Sequence, residues 1–559
     1  KGTEASEAET EEEHPSLAEG TLPAVLKAER LYLLADKADG VYFSDGRQYV
    51  HIGKEEADTA LSDVFSSGAA LFTFGAKPFY KAARRLGFAK TQPLFDAELA
   101  AYLLKPDAKT YDVAALARSY VSGATIEGPE DLAALAVLPR LCSELYEQLC
   151  AQEMDTLFNE IELPLCEVLA DMEYEGFAGD RAGVEEFGRM LDEGIAEVTE
   201  EIYRLAGRHF NINSTRELGE VLFEELKLPA GKKTKTGYST SAEVLESIAA
   251  LHEIVPAVLE YRKLSKLAST YVTGLLKVVG EDGRVHSTFN QTETRTGRIS
   301  SSEPNVQNIP VRTKLGSEMR RFFVAREGYV LVDADYSQIE LRILAHIAED
   351  QNMLRAFNEK ADIHTETAAQ VFGLSPDMVP PELRSPAKAI NFGIVYGIGA
   401  FSLSKQINVP VYEAKEYIQS YLKTYSGVAA YQHDIVEAAR RDGYVKTMFG
   451  RRREVLDIYS KNKNVRAFAE RVALNTPVQG TAADIIKLAM IRVHRRIREE
   501  GLHAKLVLQV HDELIVEARE DEAERAAVIV SEEMEHAAQL RVKLVADVHT
   551  GKNWYEAKQ

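Results

Sequence analysis

Two aspartates set in apolar, strand-like stretches constrain this chain more than any other feature. Asp335 opens DYSQIELR, and Asp512 sits in QVHDE within the apolar stretch 506–516. A carboxylate in such surroundings is costly unless it is paired or binds a metal. Tyr329–Tyr336 reads as a strand ending in Asp333-Ala334-Asp335. Side chains alternate along a strand, so both acids share a side if it runs that far. Either suits a metal; a strand-end turn with solvated acids is the plain alternative. Segments 506–510 and 514–517 read as strands around a tight turn at His511-Asp512-Glu513. Hard cations such as Mg²⁺ take oxygen ligands, often one or two carboxylates plus substrate phosphates. Two such ions about 4 Å apart serve both oxygens of a phosphoryl transfer.

Between the two aspartates lies RSPAKAINFGIVYG (384–397), a helical pattern. Arg384, Lys388, Phe392 and Tyr396 recur every fourth residue and form a slowly drifting stripe. A stripe that starts cationic and ends aromatic suits a nucleoside triphosphate, with Arg as a bidentate fork and Lys as a point charge. The plain alternative is an amphipathic helix with buried aromatics and snorkelling charges. Pro386 is tolerated only near a first turn. The helix is therefore predicted to begin at about Ser385, with Arg384 at its lip.

The 559 residues and ordinary composition (45% hydrophobic, 27% charged) describe a globular α/β multidomain chain. No apolar run approaches a membrane span. Cys142, Cys150 and Cys166 show no metal-ligand pattern and read as thiols in a reducing compartment. The net charge of −21 opposes nucleic-acid binding only if charge is uniform, and 440–471 holds ten basic residues against four acidic ones. The acidic run within 1–19 reads as a disordered tail. Residues 20–165 alternate strand and helix patterns. A long helical stretch broken near Gly176 follows, then a β-rich part (281–345), helices, and a helix–hairpin–helix–strand ending.

On DYSQIELR, RSPAKAINFGIVYG and QVHDE, which match its motifs A, B and C, the chain resembles the family A DNA polymerases, the large fragment of the bacterial DNA polymerase I type. The resemblance implies a right-hand fold of palm, fingers and thumb behind an RNase H-like 3′–5′ exonuclease-type α/β domain. It places a degenerate exonuclease-like domain at 20–153 and the first part of the palm at 154–345. The thumb is inserted at about 180–290, with fingers at 346–460 and the second part of the palm at 461–559.

The implied activity is DNA-templated addition of deoxynucleotides to a primer 3′ end. Asp335 and Asp512 would hold two Mg²⁺ ions, with Mn²⁺ able to substitute, helped by the backbone carbonyl of Tyr336. Glu513 would support catalysis, and Asp333 would at most act from behind. Gln338 lies within motif A. Glu340 matches a steric gate against a ribose 2′-hydroxyl. His364, Arg384 and Lys388 would contact the triphosphate, with Lys388 also protonating the leaving pyrophosphate. Phe392 would pack on the sugar and Tyr396 would guard the templating base.

TGRISSSEPNVQNIP (296–310) and NTPVQGTAAD (475–484) match segments that touch the duplex, which implicates Arg298, Asn305, Gln307, Arg471, Asn475 and Gln479. His511 would lie near the primer terminus. FGRRRE, with Arg451, and Lys232, Lys233, Lys235, Lys263 and Lys266 would meet phosphates.

The chain departs from the family pattern at Pro386, Ser426 and Lys463. The first strand candidate, RLYLLADKADG, lacks the Asp-x-Glu of an active proofreading site, so no 3′–5′ exonuclease is expected. No 5′-nuclease is expected either. The implied partners are primer–template DNA and dNTPs, the implied state is a monomer, and the implied location is the bacterial cytoplasm with the nucleoid. A single-subunit RNA polymerase shares the paired aspartates, but Glu340 argues against it. A non-catalytic DNA-binding scaffold would not need Asp335 and Asp512 intact.

Overall fold

The computed structural model describes residues 17–558 except 39, 89–93, 124–128, 231–232, 235–236 and 310–316. Residues 1–16 of the predicted acidic tail, and Lys232 and Lys235, lie outside the described residues. The chain divides into two compact units. The first comprises Lys1–Glu175, Phe289–Ser301 and Val332–His549; the second comprises Gly176–Thr288, Ser302–Leu331 and Thr550–Gln559.

The first unit opens with a sheet of β1 (Ala18–Glu19), β2 (Arg30–Ala35), β3 (Val41–Ser44), β4 (Gln48–Ile52), β5 (Ala70–Thr73) and β6 (Leu94–Asp96), in the order β1-β4-β3-β2-β5-β6. Strands β2 to β4 form an antiparallel meander, while β5 and β6 add in parallel. Four successive residues of β2, Leu31–Leu34, are buried, as expected for a strand covered on both faces. Helices α1 (Lys77–Arg85), α2 (Ala97–Leu104) and α3 (Glu130–Ala151) share its core. Asp96 caps α2 by accepting from the Glu98 amide. Helix α4 (Leu163–Glu175) packs on α1 through a ladder of charges. Lys77 and Lys81 both meet Glu173, and Arg84 meets Glu175 at 3.1 Å. Helix α4 ends before Gly176, whose φ of +62° a Cβ would resist.

A second sheet runs in the order β8-β9-β7-β10, formed by β7 (Tyr329–Tyr336), β8 (Ala504–Val510), β9 (Glu513–Arg519) and β10 (Ala546–Gly551). Val510 pairs with Glu513, so His511 and Asp512 form a two-residue turn. His511 takes φ +54°, the left-handed value such tight hairpins require at their first position. Around this sheet lie α5 (Ile339–Ile347), α6 (Ile363–Phe372), α7 (Pro381–Val395) and α8 (Lys463–Glu499). Helix α8 is 37 residues long, hence about 55 Å. Its buried Ile485, Ile486, Ala489, Met490, Val493 and Ile497 follow the three-to-four spacing of a core-facing stripe.

The start predicted for the 384–397 helix is corrected. Helix α7 begins four residues earlier, at Pro381, and Pro386 lies inside it. Pro381 occupies the favoured first position, whereas Pro386 lies in the second turn and cannot supply the N–H that a helix directs at the Glu382 carbonyl. Arg384 is therefore a helical residue, not a lip.

The second unit is built on the helices Arg181–Ala206 and Ile254–Lys266. Its core includes Ile202, Leu218, Leu222, Val255 and Val258. Lys263 pairs with Glu260 at 3.1 Å there. Cys142 and Cys166 are buried, Cys150 is exposed, and all three are free. Among the described residues, no helix is long and apolar enough to cross a membrane.

Candidate active site

The turn between β8 and β9 lies beside the end of β7. The Tyr336 amide donates to the Asp512 carbonyl at 3.1 Å, which joins motifs far apart in sequence. Tyr336 itself is buried, and its hydroxyl donates to the Met534 carbonyl at 2.6 Å. Asp335 and Asp512, both half-buried, open into one cavity of about 520 Å³. Tyr336, Gln338, Glu340, His511 and Arg298 line it from one side. His364, Arg384, Lys388, Phe392 and Tyr396 line it from α6 and α7. The stripe on α7 thus faces the two carboxylates.

The donor set suits hard divalent cations, because two carboxylates share a cavity with a cationic wall. Among the described residues, no three acidic, imidazole or thiol groups gather as a ready metal cage. Remaining ligands would come from the Tyr336 backbone, substrate phosphates and water, the coordination Mg²⁺ favours.

Charge is distributed with care around this cavity. Glu340 is buried, and both its oxygens are used. Arg298 donates to one at 2.7 Å and the Tyr396 hydroxyl to the other at 2.6 Å. Burial raises the Tyr396 phenol, and the Glu340 carboxylate beside it raises it further. Arg384 donates to Asp362 at 2.6 Å. Burial works against the Asp362 carboxylate, but hydrogen bonds from Arg384, the His364 amide and Thr365 hold it below its ordinary range. Asp362 also caps α6. Lys388 is exposed, with no ion-pair partner among the described residues, and remains available to an anion. Burial pushes His364 down to about 4, and Arg384 and Lys388 press the same way against the opposing pull of Asp362. The ring is uncharged at neutral pH. Arg384 closes the first turn of α7, and Lys388 lies one turn further on, at the midpoint of the helix.

A model of DNA polymerase family A matches residues 181–556. The chain belongs to DNA polymerase family A. It is 49% identical to a DNA polymerase I of Bacillus caldotenax over 486 residues, 83% of this chain and 55% of that protein. It is 48% identical to the thermostable DNA polymerase I of Thermus thermophilus over 472 residues, 84% of this chain and 56% of that one. The chain spans about half the length of these relatives. The POL domain of Pol1 from M. smegmatis, solved in complex with DNA primer-template and dNTP, matches with a TM-score of 0.89 at 36% identity. That match covers 96% of this chain and 98% of the other. The right-hand polymerase fold of family A is thereby shown.

Several residues that family A motifs nominate lie outside the cavity. Glu513 is buried at the start of β9 and does not line it, because alternation turns the residue after Asp512 away. Asp333 is likewise buried short of the cavity. Asn305 and Gln307 belong to the second unit, where the Asn305 side chain accepts from the Gln307 amide at 3.1 Å. Arg471 is exposed on α8, with its guanidinium 5.8 Å from the Phe468 ring centre. Asn475 and Gln479 are half-buried on the same helix, and among the described residues the Asn475 side-chain oxygen has no hydrogen-bond partner.

Arg451 requires correction as a DNA contact. It is buried, 4% exposed, and its guanidinium is consumed by Asp484 at 2.7 and 2.9 Å and by Glu162. Lys487, fully buried, completes the group by donating to Glu162 at 2.7 Å. Burial would raise Glu162, but Lys487 and Arg451 hold it down at about 2. Two cations balance two anions, so the quartet persists without solvent. Three successive arginines read as phosphate contacts; only packing shows that the first is internal.

Proposed function

We propose that the chain is a DNA-templated DNA polymerase that adds deoxynucleotides to a primer 3′ end. The carrying observation is the single cavity that sets Asp335 and Asp512 opposite Arg384 and Lys388. In this reading α5 and the β7–β10 sheet belong to the palm, α6 and α7 to the fingers, and the second unit holds the thumb. Arg384 and Lys388 bind the triphosphate, Phe392 packs on the sugar, and Tyr396 borders the templating base. The primer 3′-hydroxyl gives up its proton to water as its oxygen forms the new ester bond to the α-phosphorus. The bond from the α-phosphorus to the bridging oxygen breaks, and pyrophosphate leaves. Lys388, which lines the same cavity, is assigned to give a proton to that leaving group. Asp335 and Asp512 would hold two Mg²⁺ ions, which when bound stabilise the attacking and leaving oxygens. The working form is a monomer acting on chromosomal DNA in the bacterial cytoplasm. Incubating the protein with labelled primer, template, dNTPs and Mg²⁺ should give template-length products; no extension would overturn the proposal.

Glu340 carries sugar selection in this reading. Its carboxylate is held by Arg298 and Tyr396 and crowds the position of a 2′-hydroxyl. Glu340→Ala should lower discrimination between dNTP and rNTP by about tenfold or more, roughly 1.4 kcal/mol per decade. Competitive incorporation assays read this directly, and an unchanged ratio would remove Glu340 from that role.

The front sheet is proposed to lack proofreading. Asp96 spends its carboxylate on the amides of Gly75, Ala76 and Glu98, at 3.0, 2.7 and 2.9 Å. Burial and neighbouring Asp96 push Glu98 up to about 7, and it meets the Thr292 hydroxyl at 3.4 Å. Asp36, after β2, is tied to the Ala38 and Gly40 amides and to His51. These acids serve turns and caps. A 3′-mismatched labelled primer without dNTPs should therefore remain full length; progressive shortening would refute this assignment.

A further inference from the structure

His364 and Asn391 meet behind the nucleotide cavity. Asn391 is fully buried on α7, and its amide nitrogen lies 3.1 Å from Nδ1 of His364. Its amide oxygen accepts from the Thr367 hydroxyl at 3.1 Å. Thr367 in turn lies 3.1 Å from the Tyr425 hydroxyl. All four side chains are at most 2% exposed.

The direction of this chain follows from its far end. Among the described residues, the Tyr425 hydroxyl has Thr367 as its one hydrogen-bond partner. A buried hydroxyl that donates to nothing loses its hydration without return. Tyr425 must therefore donate to Thr367. Thr367 then donates to the Asn391 oxygen, and the Asn391 amide nitrogen donates to His364. Turning the amide over would make Thr367 accept from Asn391 and leave one buried hydroxyl hydrogen, of Thr367 or of Tyr425, without an acceptor among the described residues. Nδ1 of His364 is thus the acceptor, which leaves the ring proton on Nε2. His364 lines the cavity, and among the described residues Nε2 has no hydrogen-bond partner.

We propose that Asn391 is a positioning residue that locks His364 as its Nε2–H tautomer, so that this nitrogen donates to a phosphate oxygen of the incoming nucleotide. The inference rests on the polymerase reading of the cavity. It explains why an uncharged histidine lies beside Arg384 and Lys388. A third cation there would be repelled by the first two, whereas an imidazole N–H adds a donor without adding charge.

Nitrogen NMR of the full chain labelled at its 13 histidines tests this, with His364→Gln identifying the signal. The parent should show the Nε2–H signature, and an Nδ1–H signature would overturn the proposal. The measurement needs no turnover, so it still reports if primer extension fails. Asn391→Asp replaces the donor with an acceptor and draws a proton to Nδ1. At low pH the doubly protonated ring still donates from Nε2; at high pH it does not. The charged groups facing the ring are Asp362, Arg384 and Lys388. Relative to the parent at each pH, the KM for dNTP of Asn391→Asp should rise with pH, reaching about tenfold, the scale of a hydrogen bond to a charged group. In a His364→Gln background, Asn391→Asp should add nothing. An equal rise in that background, or a parent-like pH profile, would refute the mechanism. Should Asn391→Asp fail to fold, Thr367→Val frees the amide to turn over and should give a mixed tautomer signal; a pure Nε2–H signal there would count against the relay.

Discussion

Asp512→Ala should abolish primer extension, lowering the rate by roughly 10³-fold or more, because each 1.36 kcal/mol of lost transition-state stabilisation is about a decade. Asp512 lines the 520 Å³ cavity with Asp335 and Glu340, and both Glu340 oxygens are taken up by Arg298 and Tyr396. Removing it leaves Asp335 alone, and one carboxylate cannot anchor a pair of divalent ions against phosphate oxygens. The change should leave the fold intact. Asp512 sits half-buried in a turn, and the bond that joins the two motifs uses its backbone carbonyl, which alanine keeps. Extension assays across a Mg²⁺ series, beside a thermal melt, separate lost chemistry from lost structure. Near-parental extension by a folded Asp512→Ala protein would remove the two-carboxylate mechanism.

Arg451→Ala should destabilise the first unit by about 3–5 kcal/mol, the usual consequence of removing one member of a buried ion group. Glu162 would keep Lys487, but Asp484 would lose both of its guanidinium bonds and, among the described residues, keep the Thr447 hydroxyl at 2.8 Å as its one side-chain hydrogen-bond donor. Gly297 packs directly against the Arg451 side chain, so the loop that presents Arg298 would loosen as well. Calorimetry should show the loss. DNA affinity measured well below the transition should keep the parent's salt slope. A true phosphate contact would reduce that slope by about one on removal. A parental melt with a shallower slope would restore Arg451 to the DNA surface.

The amino-acid sequence alone determined the strands around Asp335 and Asp512, the stripe Arg384–Lys388–Phe392–Tyr396, and through these motifs the family. Those features are written in short periods, two residues for a strand and about four for a helix face, and survive without knowledge of packing. The long helix, the hairpin and the break at Gly176 were legible for the same reason. What depended on distant neighbours was not. Pro386 argued for a later helix start, but Pro380 and Pro381 had already set an earlier one. Glu513 adjoins Asp512, yet strand alternation turns it into the core. Arg451 looked like the half-buried Arg452 and Arg453 beside it until Glu162, Asp484 and Lys487 closed around it. Asn391 carried no signal within its own helix, because its partners His364, Thr367 and Tyr425 lie outside α7. Local spacing specifies which face a residue takes; only the tertiary structure decides what that face meets.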